Sequence, residues 1–470
     1  MEPFPGTGAP LQFALCTDDY RETVYLSRTP VDWYDAVQAY IRTCDEISGF
    51  VRPPIPETAY EPVFCTWYAV LKDVTAEWTE RAAAIAADLG FRTLILDDGW
   101  FAADAQGFGY RYAGDWVSAP SRFPDMAGHI RRVQAMGLKY ILWVAPFMVG
   151  RASQAALSMA EYVIPDGQPG FATGMGIQNL CPCNPQAREY IQRTLLGLMA
   201  AYPLDGFKLD FIDAVGTTPC KAEHPHDFDA PGRAMHAALR GVYEALRSRN
   251  PDVLVEFRQT YANLALRDCA TMYRGFDVPF DFDANRWNIT MTRAVAGGVP
   301  VHADPVYWQT DELDENVARH MMTAMFAVPT VSVDFERLPA AHLRILKAWL
   351  GFYQEHKRVL AHGQFRPWMV AGSIPMLLLR HETTAVLGIF ADALPPVALP
   401  SEITELFVLN AANETCVRLW VEGVEGMFAG LTFDLWHQPV EQLAPRALGA
   451  LSCEIPIGGY VRFTRVKEAS

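Results

Sequence analysis

Residues 203–213 read Pro-Leu-Asp-Gly-Phe-Lys-Leu-Asp-Phe-Ile-Asp, and Lys208-Leu209-Asp210 closes a short apolar segment. Side chains alternate along a β-strand, so Lys208 and Asp210 are expected to face the same interior. A buried carboxylate is costly unless it is paired, and a neighbouring ammonium group keeps it ionised. An ionised carboxylate is what a covalent nucleophile requires. An ordinary ion pair at a strand end is the alternative interpretation of this segment.

Seven other short apolar runs share the character of this segment, and amphipathic helical patterns such as Thr75–Leu89 and Pro185–Ala201 separate most of them. The eight predicted strands are Val63–Val70, Thr93–Asp98, Tyr140–Ala145, Gly206–Ile212, Val253–Arg258, Thr271–Phe276, Val299–Ala303 and Thr330–Asp334. Continuous apolar strands that alternate with helices indicate a parallel sheet covered on both faces. A count of eight favours closure into a (β/α)8 TIM barrel.

Polar residues cluster at or just after the carboxyl ends of these runs. They are Asp97, Asp98, Trp143, Lys208, Asp210, Glu256, Arg258, Arg274, Asp277, His302, Asp304 and Asp334. Barrel enzymes build their active sites at that rim. The pattern therefore predicts an enzyme site there.

The remaining sequence predicts two flanking parts. Residues 1–60 contain one expected helix, Val31–Ile47, and a Pro-rich connector, and residues 61–355 form the barrel. Residues 356–470 change to short alternating runs separated by turn residues, which is typical of an antiparallel β-sandwich. These runs are Pro375–Leu379, Thr384–Ile389, Glu405–Leu409, Cys416–Val421, Leu431–Trp436 and Leu451–Ile457.

Composition limits the classes of partner that the chain is expected to bind. The 470 residues carry a formal net charge of −15, and half of them are hydrophobic. No basic cluster offers a footprint for nucleic acid or anionic lipid, and no apolar run reaches membrane-spanning length. The N-terminus lacks the pattern of a secretory signal. Nine scattered cysteines, with Cys181 and Cys183 in a C-x-C pair without zinc spacing, are expected to be reduced thiols in a cytoplasmic protein.

The segment Asp97-Asp98-Gly99-Trp100 joins two carboxylates to an indole at the end of the second run. Paired acids can ligate a metal or accept hydrogen bonds from sugar hydroxyls, while an aromatic ring stacks on the apolar face of the sugar. A helix N-cap with a turn glycine would account for one aspartate only. The pairing of polar group and indole recurs at Asp115-Trp116, and Trp143 ends the next run. This surface suits a carbohydrate.

Three acids follow the sixth run, at Asp277, Asp281 and Asp283. A glycosidase needs two carboxyl groups that flank the scissile bond, and Asp210 with one of these acids would supply them. Asp277 is preferred because it comes first after the strand, with Asp281 as the alternative. Solvated loop acids, or partners of Arg274 and Arg286, are the structural interpretation.

Arg258 offers a planar fork that suits a catalytic carboxylate and substrate hydroxyls, although a structural pair with Glu256 is also open. No G-x-S-x-G elbow, dinucleotide fingerprint or P-loop occurs in the chain. Serine hydrolase and nucleotide-dependent chemistry are therefore not expected.

Read in order, these motifs resemble glycoside hydrolase family 36, the α-galactosidase family of clan D. They are Leu-Asp-Asp-Gly-Trp, Gly-Asp-Trp, Phe-Pro, Gly-Leu-Lys-Tyr-Ile-Leu-Trp-Val, Asn-Leu-Cys-Pro, Asp-Gly-Phe-Lys-Leu-Asp-Phe-Ile-Asp, Phe-Arg-Gln and Arg-Gly-Phe-Asp-Val-Pro, between about residues 62 and 310. The ordered set is specific, whereas each motif alone is not.

The resemblance implies a retaining α-galactosidase that forms a covalent galactosyl-aspartyl intermediate, with Asp210 as nucleophile and Asp277 as acid/base. The residues it assigns to the substrate subsite are Asp97, Asp98, Trp143, Lys208 and Arg258, with the Asp97-Asp98 pair on the 4- and 6-hydroxyls. Trp100 and Arg274 are further candidates for substrate binding. It implies neither a metal nor an organic cofactor. The expected partner is a small-molecule carbohydrate, and a homo-oligomer is left open.

Departures from the family pattern mark a divergent branch. Ala145-Pro146-Phe147 stands where members commonly carry acids, and Gln259-Thr260-Tyr261-Ala262 replaces a Ser-Gly-Gly segment. Members also carry a large N-terminal β-sandwich, whereas about 60 residues precede the predicted barrel here.

Three other functions stay open from sequence. An α-galactosyl transglycosylase, or another retaining α-glycosidase of the clan, would use the same site. A metal-dependent barrel enzyme would use Asp97, Asp98, Asp210 and Asp304 as oxygen ligands, although the Lys208 ammonium would repel the metal. A sugar-binding protein without turnover would keep the pocket, although both presumed catalytic carboxylates are intact.

Overall fold

The computed structural model, which describes residues 31–101, 110–165, 176–216, 218–392 and 394–466, contains a barrel of eight parallel strands. The strands of this part are β1 (Val63–Cys65), β2 (Thr93–Leu96), β3 (Lys139–Val144), β4 (Met148–Gly150), β5 (Ile177–Asn179), β6 (Gly206–Leu209), β7 (Leu254–Arg258), β8 (Met272–Arg274), β9 (Val301–His302) and β10 (Thr330–Val331). β4 and β5 form a separate antiparallel hairpin, and the other eight pair in the order β10-β1-β2-β3-β6-β7-β8-β9. All eight predicted strands are confirmed.

The ring closes between β9 and β10 through isolated bridges. His302 bridges Val328, and Val306 bridges Val331, both in parallel. Pro305 lies between these two bridges and has no N–H to donate, so ladder pairing is interrupted at that point. The predicted (β/α)8 fold is confirmed.

Helices cover the outside of the barrel. They are α1 (Trp33–Ser48), α2 (Trp67–Val70), α3 (Ala76–Leu89), α4 (Met126–Ala135), α5 (Gln154–Ser158), α6 (Pro185–Ala201), α7 (Pro231–Arg249), α8 (Phe282–Val295), α9 (Asp314–Ala324), α10 (Ala340–Glu355) and α11 (Lys357–His362). The Thr75 and Asn184 side chains cap α3 and α6, and Gly90 ends α3 at φ 114°, which favours glycine. A bilayer crossing needs a longer and more apolar helix than any in the described residues.

The barrel interior has an apolar layer toward the amino ends of the strands and a charged layer toward their carboxyl ends. An apolar layer includes Ile95, Ile141, Leu254 and Met272. Two residues further along the same strands stand Asp97, Trp143, Glu256 and Arg274. Because the side-chain period of a strand is two, both sets point inward. The charged layer therefore lies on the carboxyl side of the apolar one.

Gly206 fixes how closely β6 approaches β7. A Cβ atom at this position would lie 1.9 Å from the carbonyl oxygen of Leu254. Only glycine permits that approach, and Lys208 and Asp210 follow two and four residues later on the same face. The close contact therefore sets the depth of the residues that decide the site.

Two sheets form the C-terminal part. The strands are β11 (Gln364–Val370), β12 (Ser373–His381), β13 (Thr384–Ile389), β14 (Val397–Ala398), β15 (Glu405–Asn410), β16 (Cys416–Glu422), β17 (Phe428–Phe433), β18 (Pro439–Arg446), β19 (Ala450–Glu454) and β20 (Tyr460–Arg465). Seven strands pair in the order β11-β12-β13-β15-β20-β17-β18, and β14-β16-β19 form the second sheet. Pairing is antiparallel except for β13 with β15 and β14 with β16. This confirms the predicted C-terminal β-structure.

The barrel and the larger sheet share one core. Trp349 of α10 is fully buried and its ring centroid lies 6.1 Å from that of Tyr460 on β20. Arg286 of α8 is also buried, and its Nε donates to the carbonyl of Ile374 on β12 at 2.9 Å. Helices of the barrel are thus anchored directly to the sheet.

Candidate active site

Asp210 follows β6 and has its two carboxylate oxygens in different surroundings. Oδ1 accepts hydrogen bonds from Arg258 Nε at 2.6 Å, from the Phe211 amide at 2.7 Å and from the Tyr261 hydroxyl at 3.3 Å. Oδ2 accepts one from Trp143 Nε1 at 3.0 Å. Burial acts to raise the pKa of Asp210, but the charges of Arg258 and Lys208 prevail and lower it. Asp210 is therefore held as the anion.

The backbone turns sharply after Asp210. Phe211 adopts φ 53° and ψ 29°, a left-handed conformation that costs a non-glycine residue about 1–2 kcal/mol. This turn aims the Phe211 amide at Asp210 Oδ1. Local strain here therefore orients the carboxylate.

Lys208 is paired differently from what its position in the sequence suggests. Its ammonium donates to Asp97 Oδ2 at 2.6 Å, and both side chains are buried. Arg258, at the end of the next strand, is the direct partner of Asp210 instead. The reason is register: Lys208 stands one layer below Asp210, at the level of Glu256, with which it is paired in the ladder. Lys208 therefore acts on Asp210 through its charge and not through a direct contact, which belongs to Arg258.

Asp98 forms an ion pair with a different lysine, Lys72. Lys72 Nζ lies 3.2 Å from Asp98 Oδ2 and 4.1 Å from the centroid of the Tyr110 ring. Burial raises the pKa of Asp98 above its ordinary value despite this lysine. The adjacent Asp97 accepts the Asp98 amide at 2.8 Å. The acidic pair is thus divided between two ammonium groups.

Trp143 lies at the centre of an aromatic group. Its ring stacks on Tyr110 with centroids 6.0 Å apart and meets Phe211 edge to face at 6.3 Å. Trp143 and Trp100 are both fully buried, and Trp100 donates from Nε1 to the Trp143 carbonyl at 2.9 Å. Trp143 therefore contacts Asp210 directly, whereas Trp100 contacts the backbone that carries Trp143.

Arg274 connects three carboxylates. Its guanidinium donates to Asp277 Oδ1 at 2.8 Å and to Asp304 Oδ1, and its Nε lies 3.5 Å from Glu256 Oε1. The Asp277 side chain is 48% exposed. Partial burial acts to raise the pKa of Asp277, but the charge and hydrogen bond of Arg274 lower it overall. Burial raises the pKa of Asp304 to about 7.

The two other acids of this loop have structural partners. Asp281 is the N-cap of α8, and its carboxylate accepts the amides of Asp283 and Ala284, each at 2.9 Å. Asp283 pairs with Arg286 at 2.8 Å. Asp277 precedes them and points toward Arg274 and the barrel interior.

His302 lies lower in the barrel than the rim position that its sequence suggests. Its Nε2 is 2.9 Å from the carbonyl oxygen of Ala59, in the turn before β1. Burial lowers the pKa of His302 to about 4. His302 is therefore a neutral residue of the lower interior.

The carboxylates proposed as alternative metal ligands have nitrogen partners. Asp97 binds Lys208, Asp210 binds Arg258 and Asp304 binds Arg274. Within the described residues, Asp97, Asp98, Asp210 and Asp304 do not converge into a group able to hold one ion. The arrangement instead offers a buried, ionised carboxylate at Asp210, a half-exposed acid at Asp277 and the acidic pair Asp97-Asp98.

Residues 51–262 match the sequence model of the melibiase family. We refer to residues 51–262 as the melibiase segment because of this match. The match includes Asp97, Asp98, Trp143, Asp210 and Arg258, and ends before Asp277. It covers the part of the barrel in which the site residues on β2, β3, β6 and β7 meet.

Curated relatives of the melibiase segment carry the same family resemblance. An α-galactosidase of Escherichia coli is 27% identical over 221 residues, which are 45% of this chain and 28% of that protein. The α-galactosidase AgaA of Geobacillus stearothermophilus is 25% identical over 204 residues, 40% of this chain and 26% of that protein. The chain thus spans little more than a quarter of the length of these relatives.

Solved structures resemble a larger part of the chain. A family 36 α-galactosidase, AgaA of Geobacillus stearothermophilus in complex with raffinose, has a TM-score of 0.63 at 18% identity, covering 86% of this chain and 55% of that one. TtGalA of Thermus thermophilus, in complex with p-nitrophenyl α-D-galactopyranoside, has a TM-score of 0.52 at 19% identity, covering 74% and 68%. The resemblance to glycoside hydrolase family 36 is confirmed.

Three contributors to the site were not anticipated. Lys72 stands in a turn between α2 and α3, and Tyr110 and Tyr261 stand in loops. The lysine and the two tyrosines carry no local motif that points to a binding role. The sequence signal for Tyr261 was its place two residues after Phe257-Arg258-Gln259, within the segment that departs from the family pattern.

Proposed function

We propose that the chain is a retaining α-galactosidase that hydrolyses terminal α-linked galactose through a covalent galactosyl-aspartyl intermediate. The observation that carries the proposal is the Asp210 carboxylate, which is buried, held ionised by Arg258 and bonded to Trp143 within the melibiase segment. The family 36 structure in complex with raffinose, an α-galactoside, supports the substrate class.

Asp210 Oδ2 is the proposed attacking atom. Oδ1 already accepts three hydrogen bonds, whereas Oδ2 accepts one from Trp143. Oδ2 keeps a lone pair for C1 of the sugar, while the donors on Oδ1 hold the carboxylate in place. Formation of the C1–Oδ2 bond breaks the bond between C1 and the leaving oxygen.

Asp277 is the proposed acid/base. Its exposed position lets it reach the leaving oxygen, to which it gives a proton in the first step. It then takes a proton from the water that attacks C1 and releases Asp210. Arg274 favours the ionised form in the free enzyme, so substrate that covers the half-exposed carboxyl must raise the pKa of Asp277 before the first step.

Recognition of galactose is assigned to the Asp97-Asp98 pair. Carboxylates accept hydrogen bonds from O4 and O6, and Lys208 and Lys72 hold these two acids in position. Trp143 is assigned to the wall of the sugar subsite beside the nucleophile, because its Nε1 donates to Asp210 Oδ2. Trp100 is proposed as a positioning residue, because it bonds the Trp143 carbonyl from the buried side.

A cytoplasmic location is proposed because the described cysteines are not joined in disulfides. All eight cysteines in the described part of the chain are free. Unpaired cysteines at this number are typical of a reducing compartment.

The test is chemical rescue. The Asp210→Gly variant should lose turnover of an aryl α-galactoside, and sodium azide should restore it with β-galactosyl azide as product, because azide enters the space of the missing carboxylate. Azide with Asp277→Gly should give the α-anomer, since the galactosyl-enzyme still forms there with an activated leaving group. The opposite anomers in the two variants would reverse the assignment. Full activity of Asp277→Gly with loss in Asp281→Gly would move the acid/base role to Asp281.

A further inference from the structure

A second cluster of reactive side chains lies outside the sugar site. It consists of Cys181, Cys220, His224 and His226, whose ligand atoms all lie within 4.8 Å of one another. Cys181 follows the β4–β5 hairpin. The other three belong to the loop between β6 and α7, the loop that begins at Asp210.

Hydrogen bonds outside the cluster fix the segment of Cys181 and the loop that carries Cys220, His224 and His226 relative to each other. The Cys181 amide donates to the Tyr162 carbonyl at 2.8 Å. Asn184 Nδ2 donates to the Pro225 carbonyl at 2.9 Å, and the Asp227 amide donates to the Cys183 carbonyl at 3.1 Å. The four side chains therefore converge on a preformed framework.

His224 is oriented as a ligand. Its Nδ1 lies 2.7 Å from the carbonyl oxygen of Glu161, which can only accept, so Nδ1 carries the proton. The lone pair is therefore on Nε2, which lies 3.7 Å from Cys220 Sγ. A backbone carbonyl on the second ring nitrogen is the usual support of a metal-binding histidine. The His226 ring lies beside it, with centroids 4.6 Å apart.

Two thiols and two imidazoles are the donor set of a tetrahedral zinc site. Zinc–ligand bonds of about 2.3 Å for sulfur and about 2.0–2.1 Å for nitrogen place ligand atoms roughly 3.3–3.8 Å apart. The Cys220–His224 separation is already in that range, and the widest separation needs a movement of about 1 Å. Rotation of the exposed His226 side chain and the partly buried Cys220 side chain can supply it.

We propose that Cys181, Cys220, His224 and His226 bind one Zn²⁺ ion, which joins the loop after the nucleophile strand to the β4–β5 hairpin. Four protein ligands leave no open position, so the role is structural. Both thiols release their protons to solvent on binding. The anchored loop also carries Asp213, whose carboxylate lies 3.8 Å from Arg258, the partner of Asp210.

Spacing along the sequence does not indicate this site, because Cys181 and Cys183 have no further zinc ligand close to them in the chain. The partner residues come from the next barrel connection, beyond α6 and β6. Cys220-x3-His224-x-His226 is the local sequence signal of that second group of ligands.

The first measurement is the metal content of the full-length protein, purified without a metal-affinity tag and analysed by inductively coupled plasma mass spectrometry. Wild type should carry one equivalent of zinc, and Cys220→Ser and His226→Asn should each lose most of it. Cys44→Ser is the matched control, since Cys44 is a partly exposed free cysteine on α1, and it should keep the full equivalent. Wild type without zinc, or retention of zinc by Cys220→Ser, overturns the proposal.

Cobalt substitution of the wild-type protein tests the site without a variant that could lose its metal through misfolding. The wild-type protein, stripped and reloaded with Co²⁺, should show the visible bands of tetrahedral cobalt and thiolate charge-transfer bands. A chelator should lower the thermal unfolding temperature of wild type and Cys44→Ser but not that of Cys220→Ser. Octahedral cobalt bands, or recovery of Cys181 and Cys220 as a disulfide in alkylated native protein, would show that no such site exists.

Discussion

Each of the two proposed catalytic acids is bound by its own arginine. Arg258 contacts Asp210 and Arg274 contacts Asp277, and in both cases the cation lowers the pKa of the carboxyl group. For the nucleophile this is favourable at every pH, because it must be ionised to attack. For the acid it is a constraint, since the proton must be acquired when substrate covers the group.

Replacing Arg258 should move the pH profile. In Arg258→Gln the main charge that lowers the pKa of Asp210 is absent, so the pKa rises and the nucleophile is protonated at higher pH than in wild type. The acidic limb of kcat/KM for an aryl α-galactoside should therefore shift upward in pH. Arg462→Gln, which removes a cation bonded to Glu405 in the C-terminal sheet, should leave the limb in place. An unshifted limb in Arg258→Gln would contradict the assignment of Asp210.

Galactose selectivity should depend on Asp98. A site that hydrogen-bonds a hydroxyl discriminates strongly against ligands that leave its polar groups unpaired. Asp98→Asn should lower kcat/KM for the α-galactoside by at least about tenfold, equivalent to ~1.4 kcal/mol, and Asp97→Asn should do the same. Asp88→Asn is the control, because Asp88 pairs with Lys347 on the surface. Equal turnover of α-galactoside and α-glucoside by wild type would refute the assignment to galactose.

Strand β6 depends on the absence of a side chain at Gly206. In Gly206→Ala the new Cβ would overlap the Leu254 carbonyl, and displacing a strand in a packed core typically costs about 1–3 kcal/mol. Urea unfolding should show that loss, together with a fall in kcat, since the strand carries Lys208 and leads to Asp210.

The matched control is Gly241→Ala in α7, where nothing lies within 4 Å of the new Cβ. Replacing a mid-helix glycine by alanine should stabilise the protein by roughly 0.5–1 kcal/mol. If both variants lose stability equally, the close approach of β6 and β7 is not the cause.

At the level of elements, the barrel was predictable from sequence because its strands are buried on both faces and read as apolar runs. The ends of those strands were less predictable. Residues after Cys65 and Leu209 continue the apolar pattern but form the short helix α2 and a 3₁₀ helix (Ile212–Val215), because the rim needs bends that aim side chains inward. Edge strand β18, with Pro439 and Pro445, was missed since proline weakens the strand signal yet is tolerated at an edge.

The sequence predicts which residues form the site, but not which cation pairs with which carboxylate. The sequence shows charged residues at the ends of the predicted strands, namely Asp97, Lys208, Asp210 and Arg258. Which cation binds which anion depends on the stagger of neighbouring strands, and a single sequence does not contain it. Lys208 accordingly binds Asp97, and Arg258 takes Asp210.

The whole molecule should unfold in one step, because the main hydrophobic core runs from the barrel into the C-terminal sheet. Trp349 and Phe352 of α10 belong to the same cluster as Phe407 and Tyr460 of the sheet. Calorimetry should therefore show a single transition in wild type. Trp349→Ala should lower its midpoint, at a cost of about 3–5 kcal/mol, without splitting it.

The control for that variant is Trp420→Ala, because Trp420 is 53% exposed on β16. A surface substitution of this kind should change stability by no more than about 0.5 kcal/mol. Two separate transitions in wild type would show that the barrel and the sheet fold independently.

The bond from Arg286 to Ile374 also has a consequence for protein engineering. Arg286 belongs to α8, which begins directly after the loop that carries Asp277, while Ile374 belongs to the sheet. A chimera that exchanges residues 364–466 for the equivalent sheet of AgaA, 18% identical over the structural match, would confront α8 and α10 with a foreign surface. The smallest transferable unit therefore includes these two helices, and with them the loop before α8, which in this chain carries Asp277.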